Sequence, residues 1–92
     1  MTRNEYVKNK LEPVLEEMYD TYEINHSLAD ANVHLEEGCP IGTDVYFIIG
    51  FNRSGLYVDK LYIVKEAINM VIDGQIAKLI SRVRNGIYRR LF

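Results

Sequence analysis

Apolar residues in the first quarter of the chain recur at helical spacing. Val7, Leu11, Val14, Leu15, Met18, Tyr19 and Tyr22 fall on one side of a 3.6-residue repeat. Ahead of them, Thr2-Arg3-Asn4-Glu5 has the form of a capping box, in which a hydroxyl and a carboxylate satisfy orphan amides at a helix start. Pro13 removes one backbone hydrogen bond from this pattern. The spacing therefore predicts a kinked helix, or two helices meeting at Glu12-Pro13.

From Asp44 the period changes to two. Val45, Phe47, Ile49 and Phe51 alternate with Tyr46 and Ile48. Both sets are apolar, so the strand is predicted to be central or covered on both sides. Asn52-Arg53-Ser54-Gly55 reads as a turn with glycine where a positive φ is tolerated, and Leu56-Tyr57-Val58 as the returning strand. Asp59 is then the expected N-cap of a helix striped by Leu61, Val64, Ile68, Val71 and Ile72, with Asp73-Gly74 ending or bending it. A last helix follows from Gln75, carrying Ile76, Leu79, Ile80, Val83, Ile87 and Leu91 in register across Asn85-Gly86.

Residues 23–43 are harder to read. Ser27-Leu28-Ala29-Asp30 can cap a short helix ending at Gly38, or Val33-His34-Leu35 can alternate as a strand. The short helix, followed by irregular chain, is preferred. The predicted fold is α+β: an N-terminal kinked helix, a small antiparallel sheet built on the hairpin 44–58, and two C-terminal helices packed on it. Residues 1–92 are expected to form a single domain.

Composition narrows the class. At 92 residues, 48% hydrophobic and 26% charged, the chain is too short for two cores and too apolar for disorder. Its longest uncharged apolar run, 45–51, is far short of the roughly 20 residues of a membrane span. Met1 to Glu5 is too polar for a signal peptide, so Asn25-His26-Ser27 and Asn52-Arg53-Ser54 are expected to be accidental sequons. One cysteine, Cys39, permits no internal disulfide. These features lead to the expectation of a cytoplasmic protein without membrane partners.

The net charge of −2 hides a polar chain. Residues 1–48 carry ten acids against three bases, and residues 49–92 carry eight bases against three acids. Such asymmetry points to a charged partner, a complementary second copy, or compensation within the fold.

Motifs for chemistry fail on inspection. Gly50 and Gly55 have the spacing of a phosphate loop, but Leu56-Tyr57 follows where a lysine and a hydroxyl are required. Asp44 ahead of a hairpin with Asp59 and Lys60 has a loose similarity to a metal-dependent nuclease core. That core needs its second acid and lysine two apart, so that both lie on one face; here they are adjacent. His26, Asp30, His34 and Cys39 are the only candidate metal ligands, at spacings unlike a closed zinc site. Cys39 with His34 lacks a third orienting group for nucleophilic catalysis. No enzyme activity and no cofactor are expected. The order helix, strands, helix is similar to that of a double-stranded-RNA-binding domain, but no basic cluster opens the second helix, where that module needs one.

Two charged surfaces remain. Glu12, Glu16, Asp20 and Glu23 fall at i, i+4, i+8 and i+11, with Glu17 beside them, as an acidic line on one predicted helix face. Glu36 and Glu37 add to it. Like charges at this spacing cost about 0.2–0.5 kcal/mol per pair, whereas an ordinary solvated face alternates signs. Lys78, Arg82, Arg84, Arg89 and Arg90, with Tyr88 among them, form a basic tail suited to phosphates. A helix C-terminus favours cations in any case, and a sequence pI near 5.6 argues against nucleic-acid binding as the main task.

The function expected is that of a small non-enzymatic regulator or inhibitor, of the kind viruses and mobile elements encode. It would dock the acidic face on a basic, nucleic-acid-binding host protein, in its sharpest form as a DNA mimic. The alternative is nucleic-acid binding through the basic tail. A homodimer is expected as well, because the last helix ends on Arg-Arg-Leu-Phe and supplies more apolar surface than so small a fold should hide.

Overall fold

The computed structural model describes residues 1–53 and 55–91, with side chains as far as Asn85. Six elements follow in order: α1 (Arg3–Met18), β1 (Thr21–Leu28), α2 (Ala31–Glu37), β2 (Asp44–Asn52), β3 (Gly55–Ile63) and α3 (Asn69–Leu91). The strands form one antiparallel sheet in the order β1-β2-β3. The α+β class, the N-terminal helix and the central hairpin stand as predicted, with β2 central. The differences lie in where strands and helices begin.

α1 starts as its capping sequence requires: the Thr2 hydroxyl accepts from the Glu5 amide at 3.2 Å. It contains Pro13 and stops at Met18, four residues before the predicted stripe ends. Tyr19 takes up extended backbone (φ −128°, ψ 147°). Its ring lies flat over Gly50, where an added Cβ would meet three ring atoms at 2.7 Å. The Asp20 amide then donates to the Phe51 carbonyl at 2.9 Å, and pairing with β2 begins. Tyr22, three residues past Tyr19, imitates a helical repeat but belongs to β1, where it and Ile24 alternate inward. The missed signal was Thr21-Tyr22-Glu23-Ile24, a period-two run of strand-favouring residues.

The short helix expected before Gly38 is α2. The Asp30 carboxylate accepts from the Val33 amide at 3.0 Å, and Gly38 closes the helix in the left-handed region at φ 75°. Gly55, closing the hairpin turn, has φ 125°.

Asp59 is no N-cap. It lies within β3, which pairs with β2 over nine positions, from Asn52 opposite Gly55 to Asp44 opposite Ile63. Residues 57 and 61 satisfy either periodicity, and that ladder decides between them. The two C-terminal helices expected at 59–73 and from Gln75 are one helix, α3, which runs through Asp73-Gly74. Gly74 faces open space, and its cost of about 1 kcal/mol relative to alanine is outweighed by burial of Ile72 and Ile76 on either side.

Both long helices cover the same face of the sheet. Val7, Leu11 and Leu15 of α1 meet Tyr46, Ile48, Leu61 and Ile63 of the sheet and Ile72, Ile76, Leu79 and Val83 of α3. The monomer therefore hides most of the α3 stripe that a second subunit was expected to cover. Ile87, Leu91, Tyr88 and Phe92, the rest of that argument, lie outside the described side chains.

One polar fastening closes the core at its edge. The Arg3 guanidinium donates to Asp44 Oδ2 (3.1 Å) and to the carbonyls of Val64 (3.2 Å), Lys65 (2.9 Å) and Ala67 (2.9 Å). It joins the start of α1, the start of β2 and the link from β3 to α3. Arg3→Ala is expected to lower unfolding free energy by about 1–3 kcal/mol, since one deletion takes a partner from Asp44 and from three carbonyls. Urea denaturation checks this. Gly50→Ala should cost about 1–3 kcal/mol in the same assay, because the Tyr19 ring must leave its place; unchanged stability would mean that the ring is not held there.

Candidate functional site

The predicted acidic line does not survive as a line. Glu12, Glu16 and Glu17 lie on α1, Asp20 sits in the bend after it, and Glu23 is on β1. Because Tyr22 and Ile24 pack inward, Glu23 points through to the opposite side of the sheet. The helix ends before the i+8 and i+11 positions, so the spacing that joined the four acids never forms. Glu12 and Glu16 stay together, one turn apart, on the flank of α1 that faces β1. The Tyr22 hydroxyl donates to Glu16 at 3.2 Å. Partial burial raises the pKa of that hydroxyl, and the Glu16 bond and the Glu16 and Glu12 charges raise it further.

Glu36 and Glu37 are exposed on α2. Glu37 is committed: Lys60 donates to it at 2.9 Å. That ion pair, with a bond from Tyr62, holds its carboxyl below the usual range.

The basic surface is divided as well. Arg82 lies against β3, its Nε donating to Asp59 at 2.9 Å and its Nη2 to the Lys60 carbonyl at 3.2 Å. Lys78 lines a shallow cleft between α3 and β3 with Lys60, Tyr62, Gln75 and Arg82. Arg84 is exposed. The side chains of Arg89 and Arg90 lie outside the described residues.

Among the described residues there are four short acid–base contacts: the ion pairs Arg3–Asp44, Lys60–Glu37 and Arg82–Asp59, and the hydrogen bond of His26 to Asp44. Only Lys60–Glu37 joins a base of the second half to an acid of the first. Among the described residues, one ion pair thus links the two halves. Glu12, Glu16, Glu17, Asp20, Glu23 and Glu36 take part in none of the four.

Three of the candidate metal ligands, His26, Asp30 and His34, have another role. His26 Nε2 donates to Asp44 Oδ1 at 2.8 Å, and its ring stacks on Tyr46 at 4.7 Å. Asp30 caps α2. His34 Nδ1 donates to the Cys39 carbonyl at 2.7 Å, so the ring meets the backbone of Cys39. No three His, Cys, Asp or Glu side chains converge as a metal site among the described residues. The His26–Asp44–Arg3 chain is a grouping the sequence did not suggest, since its members are far apart until β1 pairs with β2.

A second surface also went unread. The outer face of the sheet, away from α1 and α3, carries Phe47 and Ile49, half-buried, and Phe51, Leu56 and Val58, exposed. Alternation in Asp44–Asn52 had implied cover on both sides; the long helices supply it on one, and on the other Val45, at the start of the strand, is buried. α2 reaches the outer side only at the far end, where Glu37 meets Lys60. No helix among the described residues is long and apolar enough to cross a membrane. The chain matches no protein family, no curated protein and no solved structure.

Asp59 allows a pH test. Burial alone would raise its carboxyl, but the Arg82 guanidinium, the Tyr57 hydroxyl at 2.7 Å and the Lys60 amide outweigh it and hold the group below its ordinary value. A carboxyl depressed on folding contributes stability above its unfolded pKa of about 4, and loses it as pH falls through the folded value. Asp59→Asn should therefore cost about 1 kcal/mol at neutral pH, Arg82 being half exposed. The gap from wild type should close below about pH 4 in denaturant titrations. A gap that persists at low pH would assign the loss to packing.

Proposed function

We propose that this chain is a small non-catalytic binding protein. It docks the β1 side of α1 and the bend after it, with Glu12, Glu16, Glu17 and Asp20, on a basic protein surface that otherwise holds nucleic acid. One observation carries the reading: these four acids, within nine residues of chain, enter none of the ion pairs found among the described residues. Unneutralised carboxylates on a rigid helix speed encounter with a basic partner and set its orientation. The Tyr22 hydroxyl fixes one of them without neutralising it. Glu36 on α2 lies outside this flank, and Glu37 is neutralised.

The test uses the full chain against a panel of purified basic DNA-binding proteins, with random-sequence duplex DNA as competitor. Retention on one or more of them, displaced by DNA, supports the reading. The variant carrying Glu16→Lys and Asp20→Lys should stay folded and bind on the order of a hundredfold more weakly, since reversal sets like charges against each other. Undiminished affinity in the folded variant would remove the acidic flank from the interface. A mobility shift of random-sequence DNA or RNA by the chain itself, lost on removing Lys78 and Arg84, would favour the basic helix instead.

A further inference from the structure

We infer that the outer face of the sheet is the interface of a symmetric homodimer, independent of the acidic flank. Period-two alternation and the strand register place five large apolar side chains together: Phe47, Ile49 and Phe51 down the central strand, with Val58 and Leu56 beside the last two on β3. Phe51, Leu56 and Val58 are 43%, 41% and 53% exposed. A contiguous apolar patch on so small a domain marks a contact surface.

The size of the face suits a second copy. Val45, at the start of β2, is already buried in the monomer, so the open part runs from Phe47 to Phe51. Three strands about 4.8 Å apart and five residues at about 3.4 Å make a face of roughly 14 by 17 Å. Side-chain relief raises its accessible area, so two such faces meeting bury on the order of 1,000 Å², in the range of weak, transient complexes. The dimer is accordingly weak.

Charges on the rim select both the occupant and the symmetry. Glu23, on the β1 side, is paired across the ladder with Ile49, and Lys60, on the β3 side, with Phe47. A two-fold axis along β2 lays β1 of one copy over β3 of the other, which brings Glu23 over the Val58 and Lys60 edge of its partner, twice. An axis across the strands at the level of Ile49 would set Glu23 above Glu23. Of these two arrangements the first brings opposite charges together. Lys60 already holds Glu37 but keeps 40% of its side chain exposed, and an ammonium has three donors to share. In this dimer both copies of α1 face outward, on opposite sides. Glu23 belongs to the dimer interface and leaves the docking surface.

Sedimentation equilibrium of the full chain at about 100 μM should give a mass well above the 10.7 kDa of one chain and rising towards twice that value with concentration. Val58→Glu should give a folded monomer. Leu56→Lys, beside the hairpin turn, gives the same reading if the first variant folds poorly. Added salt should weaken the wild-type dimer. Glu23→Lys should weaken it at least about tenfold at low salt and reverse the response, because salt then screens the introduced ammonium from Lys60 across the interface. A wild-type chain that stays monomeric to about 100 μM overturns the inference and leaves the face to another protein. So does a dimer indifferent to Val58→Glu, Leu56→Lys and Glu23→Lys, which must associate elsewhere.

Discussion

The Arg3 guanidinium is where the two ends of this fold meet. α1 and α3 are at opposite ends of the chain, and both must lie on one face of a sheet that forms between them. Apolar burial drives them there without direction. Arg3 supplies the direction: it reaches Asp44 at the start of β2 and three carbonyls of the turn that launches α3. Those carbonyls lie between the last strand and the last helix, so one planar cation with five donors satisfies what would otherwise need several separate groups.

Similar fastenings recur round the rim. Tyr19 lies over Gly50 at the junction of α1 and β1, Tyr6 donates to Asp73 between α1 and α3, and Arg82 with Tyr57 grips Asp59 between α3 and β3. Most of them join an element to one distant in sequence. Together they leave the centre of the inner face to aliphatic side chains and Tyr46, and they occupy cations. That occupation bears on function. Arg3, Lys60 and Arg82 are held by Asp44, Glu37 and Asp59, all of them outside the acidic flank of α1.

The outer face of the sheet is open because both long helices, α1 and α3, close the core on the other side. The third helix, α2, has seven residues and no buried side chain. The outer side of β2 is nonetheless apolar, which is why cover by a second copy, rather than by solvent, agrees with the residues found there.

Several features follow from local chemistry and were legible in the sequence alone. Thr2 caps α1, Asp30 and Gly38 delimit α2, and Asn52 to Gly55 turns the hairpin, because each depends on groups within a few residues of one another. The α+β class is readable for the same reason, since a period of 3.6 or 2 over a long run is a local property. Where two periods fit the same residues, only tertiary contact could decide. Tyr22 continues a helical stripe on paper, yet the ring of Tyr19 on Gly50 and the pairing of β1 with β2 make it a strand residue. Asp59 resembles an N-cap, yet nine ladder pairs and the Arg82 guanidinium hold it in β3. The acidic line through Glu23 was broken for that reason, since the far end of a helix depends on what it meets, and Tyr19 meets Gly50 thirty-one residues away.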